Sequence, residues 1–135
     1  MRLRSRSVAV LATLIAATAL VACGDGDDDE GAVREAVVQF VEAGNTGDFA
    51  TVCDLLSDDQ RAAVAASGES CAAALRAQAA GREGDTRIGV DEVRISGDRA
   101  TVDATITSAD GERRAQSLLL VKEDGDWKIA SAGID

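Results

Sequence analysis

The sequence has no histidine, no proline and no tyrosine, and only one tryptophan, two phenylalanines and three cysteines in 135 residues. Each shortage excludes something. Without histidine there is no imidazole general base, no Ser-His-Asp triad and no histidine zinc ligand. Without proline there is no extended Pro-rich linker. Three aromatic side chains leave little of the large apolar surface that usually dominates a core. Positive charge is also short: 14 basic residues face 24 acidic ones, a formal net of −10. Such a chain cannot neutralise a phosphate backbone, so no nucleic-acid partner is expected. The length is about that of one domain.

What is present begins with a basic start, Arg2, Arg4 and Arg6, followed by an apolar run of 15 residues from Val8 to Ala22 that only Thr13 and Thr18 interrupt. The run is short for a bilayer-spanning helix. A basic region, a short apolar region and small residues before a break describe a secretory signal, expected over residues 1–22. The break reads Leu20-Val21-Ala22-Cys23, which resembles a bacterial lipobox. Cys23 is therefore expected to carry palmitate-type acyl chains and to become the mature N-terminus, placing the protein outside the cytoplasm and anchored to the cell membrane. Several buried chains would hold it stably, at about 0.8 kcal/mol per methylene. Cleavage removes three of the 14 basic residues and no acid, so the mature chain carries 11 against 24, net −13.

Residues 23–31 continue with Gly24, Asp25, Gly26, Asp27, Asp28, Asp29, Glu30 and Gly31. No side chain here can bury apolar surface, and the charges repel one another, so an extended, solvated tether is expected. The alternating Asp25, Asp27 and Asp29 evoke a calcium loop, but Glu30 stands where that loop needs glycine and Ala36 where it needs glutamate.

From residue 32 the spacing becomes helical, with Val33, Ala36, Val37, Phe40, Val41 and Gly44 on one face. Gly44-Asn45 is read as its end. Asp48 caps a second helix presenting Phe49, Val52, Cys53 and Leu56. Ser57 with Gln60 forms a capping box for a third, Asp58 to Ala66, with Ala62, Ala63 and Ala66 expected on its packing side. Ser70 caps a last helix, Cys71 to Ala80.

After Gly84 the period becomes two. Ile88 and Val90, then Val93 and Ile95, point to a strand with a bulge near Asp91-Glu92. Arg99–Thr107 alternates with Ala100, Val102, Ala104 and Ile106 on one face. Arg113–Lys122 and Trp127–Gly133 complete four strands joined by short turns. The expected fold is α+β, with N-terminal helices packed on a four-stranded antiparallel meander sheet and a domain spanning residues 32–135.

Cys53 and Cys71 remain after Cys23 is assigned to lipid. Export places them in an oxidising compartment. A zinc site would lack ligands, and a redox pair is normally close in sequence. A structural disulfide is the expected use, and closing that loop is worth about 3 kcal/mol.

These parts resemble the nuclear transport factor 2-like superfamily. The resemblance rests on the apolar helix that contains Val37, Phe40 and Val41, the turn Gly44-Asn45-Thr46-Gly47-Asp48 with Phe49 after it, and the closing hairpin Val121-Lys122-Glu123-Asp124-Gly125-Asp126-Trp127-Lys128-Ile129. It covers residues 32–135. Small actinobacterial lipoproteins of the superfamily look similar, often with a cysteine pair in the helical half, and the 12 Arg to 2 Lys here suit a GC-rich genome. The resemblance implies a cone-shaped, strongly curved sheet around the first helix, with a pocket at the wide end, and makes Phe40, Phe49 and Trp127 its pocket or core candidates. Enzymatic relatives, the ketosteroid isomerases and polyketide cyclases, carry Asp, His or Tyr in that pocket. Two of those residue types do not exist here. An Asp base is the remaining type; Asp103, Asp110 and Asp124 are the candidates from the last three strands, and each is expected on the surface.

The reading is a membrane-anchored lipoprotein with a non-enzymatic binding module for a protein partner or a small apolar ligand, requiring no cofactor and no metal. The alternative is a small lyase or isomerase using a buried carboxylate. A homodimer through the polar outer sheet face, with Thr101, Thr105 and Thr107, is a further expectation. Adjacent Arg113 and Arg114 point to opposite faces and do not form a basic patch.

Overall fold

The structure is a computed structural model that describes residues 25–82 and 84–132, with side chains from residue 28 onward. The expected signal segment, Cys23 and the end of the last strand at Gly133 lie outside those residues. Four helices come first: α1 (Asp25–Thr46), α2 (Phe49–Leu55), α3 (Asp58–Val64), which runs into a 3-10 turn at Ala65–Ser67, and α4 (Cys71–Ala79). Four strands follow: β1 (Arg87–Ser96), β2 (Arg99–Thr107), β3 (Arg113–Glu123) and β4 (Asp126–Ala132).

The acidic segment corrects the expected tether. Residues 25–31 are the first turns of α1, so the folded domain includes them and does not begin at residue 32. Helical structure is reasonable there because negative side chains complement the positive end of a helix dipole. Asp29 is also held from outside the helix: its carboxylate accepts from Lys122 Nζ at 2.9 Å and from the Trp127 indole N–H at 3.2 Å. Like-charge repulsion sets the conformation only where no partner is near, and here the β3–β4 hairpin supplies one. A helix in this segment also excludes the calcium loop. At its other end α1 passes through Gly44-Asn45 and stops at Thr46.

The short helices are set by their caps. Asp48 accepts from the Thr51 N–H at 3.2 Å and hydroxyl at 2.7 Å, and Ser70 accepts from the Ala73 N–H at 3.2 Å. Ser57 accepts from the Gln60 N–H at 3.2 Å, while its own N–H donates to Ile129 O at 2.8 Å. Leu56 pairs with Ile129 as a parallel bridge, so residues 56–57 cover the open edge of β4. Arg61 donates to Cys53 O at 3.1 Å, which also accepts from the Leu56 N–H at 3.2 Å, and to Leu56 O at 3.3 Å, so it caps the C-terminal end of α2. Ala62, Ala63 and Ala66 are exposed, against expectation; Val64 is the α3 residue that packs on the core.

The sheet is an antiparallel meander in the order β1-β2-β3-β4. Val90 pairs with Ala104 and Glu92 with Asp103, which leaves Asp91 as the extra residue of the expected bulge. A second irregularity passes unnoticed in the sequence: Leu119 pairs with Ser131 and Leu120 with Ile129, leaving Ala130 unpaired. The β3–β4 turn puts both Asp124 and Gly125 at positive φ, 51° and 86°, as a two-residue Asp-Gly hairpin turn requires. The helices lie on one face, where Val33, Val37, Val102, Leu120 and Ile129 are fully buried and Trp127 nearly so.

Candidate functional site: a groove between the helices

Two depressions flank α1. The larger, about 420 Å³, lies at its C-terminal end. Phe40 from α1, Phe49 and Val52 from α2, and Leu75 and Ala79 from α4 give it apolar walls, and Arg82, Gly84, Asp85 and Thr86 line one side. Every lining residue is helical or belongs to a connector. The space between helices and sheet is instead filled by core side chains.

Local chemistry fixes the walls. Cys53 and Cys71 form a disulfide with 6.1 Å between Cα atoms, tying α2 to the start of α4. Asn45 clamps the connector: its Oδ1 accepts from the Thr86 N–H at 2.9 Å and its Nδ2 donates to Thr86 O at 2.7 Å. Gly84 has φ +95°, and a Cβ there would collide with that of Ala109, so glycine alone lets the connector pass the β2–β3 turn. The Arg76 guanidinium sits 5.9 Å from the centroid of the Phe49 ring, within cation–π range. Arg82 and Asp85 are exposed at the rim.

The smaller depression, about 280 Å³, lies between α1, Leu55 and the β3–β4 turn and reaches Trp127. Its two carboxylates, Glu35 and Asp126, are exposed, and Glu35 accepts from Gln39 at 2.8 Å.

The three aromatic candidates thus separate. Phe40 and Phe49, both half-buried, line the groove. Trp127 is 4% exposed and is mainly a core residue. The acids expected on the surface are there. Asp103 lies on the outer sheet face, where it accepts from the Ser117 hydroxyl at 2.8 Å and pairs with Arg94 at 2.9 Å. The Ser117 hydrogen bond, and then Arg94, hold its carboxyl below the ordinary aspartate value. Asp110 accepts from the Glu112 N–H within a turn, at 3.0 Å. Among the described side chains no Asp or Glu is buried. The carboxyls whose pKa moves, Asp29, Asp48 and Asp103, all move down, which disfavours the protonated form a general acid needs. No group of three or more His, Cys, Asp or Glu among the described residues is arranged to hold a metal ion. No described helix is long and apolar enough to cross a membrane.

Sequence reasoning found Phe40, Phe49 and the Cys53–Cys71 pair but missed Asn45, Arg82 and Gly84. Asn45 was legible only as a helix end, and Arg82 follows no apolar period. That α4 and Thr86 meet the end of α1 is a tertiary fact.

A sequence profile described as "Low molecular weight antigen MTB12, C-terminal domain" matches residues 48–135. Among curated proteins, none matches. Solved structures agree on the fold. An NTF2-like protein of unknown function from Silicibacter pomeroyi is 21% identical, with 82% of this chain and 97% of that one covered and a TM-score of 0.59. One of unknown function from Shewanella oneidensis is 15% identical, covering 78% and 97%, with a TM-score of 0.60. A protein from Kribbella flavida is 19% identical, covering 81% and 90%, with a TM-score of 0.61. The architecture is the NTF2-like α+β cone. At these identities the likeness concerns the fold, and function has to be argued from the site.

Proposed function

This chain belongs to the family of the low molecular weight antigen MTB12 C-terminal domain, and on that premise we propose that it is a membrane-anchored extracytoplasmic lipoprotein whose NTF2-like domain is a non-enzymatic binding module. The observation that carries the binding role is the α1–α2–α4 groove, an apolar-walled space of about 420 Å³ with no buried carboxylate among its lining residues. Sites for small molecules are commonly concave and largely apolar, with a few polar groups. A lyase or isomerase of the carboxylate type would need an acid withdrawn from water and shifted upward; no described Asp or Glu is buried, and the carboxyls of Asp29, Asp48 and Asp103 shift downward.

The anchor reading rests on the sequence Leu20-Val21-Ala22-Cys23 after an apolar run. With α1 starting at Asp25, the tether is shorter than the residue types alone imply. The helix rises about 1.5 Å per residue, so Phe40 lies about 22 Å along α1 from Asp25. The groove then stands off the anchored end and opens to the aqueous side.

Intact-mass measurement on the membrane fraction tests the anchor. The expected species begins at Cys23 with acyl mass added and lacks two hydrogens for the Cys53–Cys71 bond. A Cys23→Ser chain should leave that fraction unacylated. Recovery of the wild-type chain in the cytosol with Cys23 unmodified would reject the proposal.

A further inference from the structure

We propose that α4 is a lid hinged at the Cys53–Cys71 bond: it stands open in this structure and closes on Phe40 and Val41 over the groove. This rests on the binding-module reading and concerns access to that site.

α4 is fixed firmly at one end and lightly at the other. Cys71 is its first residue and is bonded to Cys53, which is buried in α2. Ser70 caps the same end. Beyond that end the packing thins along the inward face. Ala74 is buried, Leu75 and Ala79 are half-buried, and Gln78 is exposed. Leu75 is the one large apolar side chain of the helix, so little dispersion energy holds its far half. α4 rests mainly on α2 and α3. Among the described residues no hydrogen bond or ion pair joins it to α1. Its tie beyond the disulfide is the exposed Arg76, 5.9 Å from the Phe49 ring centroid, and an exposed cation–π contact is weak.

The opposite wall leaves room for movement. Gly44 of α1 lines the groove, and a Cβ there would meet nothing within 4 Å. Cys71 to Ala79 spans about 12 Å, so a swing of about 20° about the disulfide carries Ala79 through about 4 Å. Past the end of α4 the chain turns at Gly81, φ +83°, a residue type that absorbs backbone rotation readily, and Asn45 clamps it again at Thr86. A ligand held between Leu75 and Phe40 favours the closed position through the contacts it makes on both sides.

Methyl carbon-13 relaxation dispersion on the full chain carrying Cys23→Ser reads the motion, which belongs on the microsecond-to-millisecond scale. Leu75 and Ala79 should exchange at one shared rate, while Ala74 beside the pivot and Val102 in the sheet stay flat. Arg76→Gln should raise the minor population about threefold, and Arg76→Lys, which keeps the cation, should return the wild-type profile. Amide exchange in α4 should not change in either variant, because a swing keeps the helix's own hydrogen bonds. Saturating N-phenyl-1-naphthylamine, a neutral apolar fluorophore, should suppress the methyl exchange. Flat profiles at Leu75 and Ala79 would overturn the lid, whether or not the probe binds. Amide exchange that accelerates in step with the methyls in Arg76→Gln would overturn it in favour of local unfolding. Probe binding that leaves the methyl exchange untouched would overturn closure over the groove. Methyl exchange as expected with no binding of the probe would leave the lid standing and overturn the small-ligand role.

Discussion

In the sheet half, Val102, Leu118, Leu120, Trp127 and Ile129 are buried against one another and against Val33 and Val37 of α1. In the helices after α1, the buried side chains are Val52, Cys53 and Ala74, and α3 buries none. Both halves draw on the same meagre stock of large apolar residues, and they spend it differently. The sheet closes its space and gains a packed interior. The helical half leaves a groove of about 420 Å³ and holds its walls with a disulfide, caps and the Asn45 clamp. An open site loses the dispersion contacts a filled one would make, so covalent and hydrogen-bonded staples take over where packing cannot. The comparison teaches where function is tolerated: in the half whose shape does not depend on being full.

The largest effect should come from the sheet half. Leu120 is fully buried at the centre of β3, and Leu120→Ala should cost about 4 kcal/mol by removing its buried surface and leaving a cavity. Urea denaturation gives the value directly. A loss below about 1 kcal/mol would mean that the interior collapses readily, and the contrast between a filled half and an open one would fail.

Next in size is the staple. Replacing both cysteines, Cys53→Ala with Cys71→Ala, should cost about 3 kcal/mol, the closure entropy of a loop of this length. The loss should be local first. Amide exchange should accelerate at Leu75 and Ala79 in α4 before it does at Val102 or Leu120. Uniform acceleration across both halves would show one cooperative unit and break the comparison. Ser70→Ala, which removes the α4 cap bonded to the Ala73 N–H at 3.2 Å, should cost about 1 kcal/mol and affect the same segment.

How much of this was legible follows the same division. The meander, the β2 span Arg99–Thr107 and the bulge at Asp91 stood in the sequence because a period of two and Gly-containing turns are local signals. The caps at Asp48, Ser57 and Ser70 were equally local. The disulfide followed from elimination. Beside the β3–β4 irregularity at Ala130, three features were not legible because a distant partner decides each. Asp29 is helical with partners from β3 and β4, more than ninety residues away in sequence. Ala62, Ala63 and Ala66 were assigned inward by period, but alanine is small enough to sit on either side of a helix, and Val64 takes the core position. The groove needs Asn45 to meet Thr86, 41 residues on, and no pattern in either segment announces it.

The smallest effect tests the link between the halves, where α1 meets the β3–β4 hairpin. The hydrogen bond from Lys122, then that from the Trp127 indole, lower the Asp29 carboxyl from its ordinary value of 3.8. A carboxyl whose folded pKa is depressed contributes stability that is complete above its unfolded pKa and is lost as pH falls through the folded value. Asp29→Asn should therefore lower the urea midpoint at pH 7, and the gap to the wild type should narrow as pH drops below about 4. Asparagine can still accept from the indole N–H through its carbonyl oxygen, so what disappears is the charge that Lys122 sees. Paired midpoints from pH 7 down to pH 2 separate the two contributions. A gap that stays constant over that range would assign the latch to hydrogen-bond geometry alone, and no gap at any pH would show that the acidic turns of α1 are held by the helix itself, independent of the sheet.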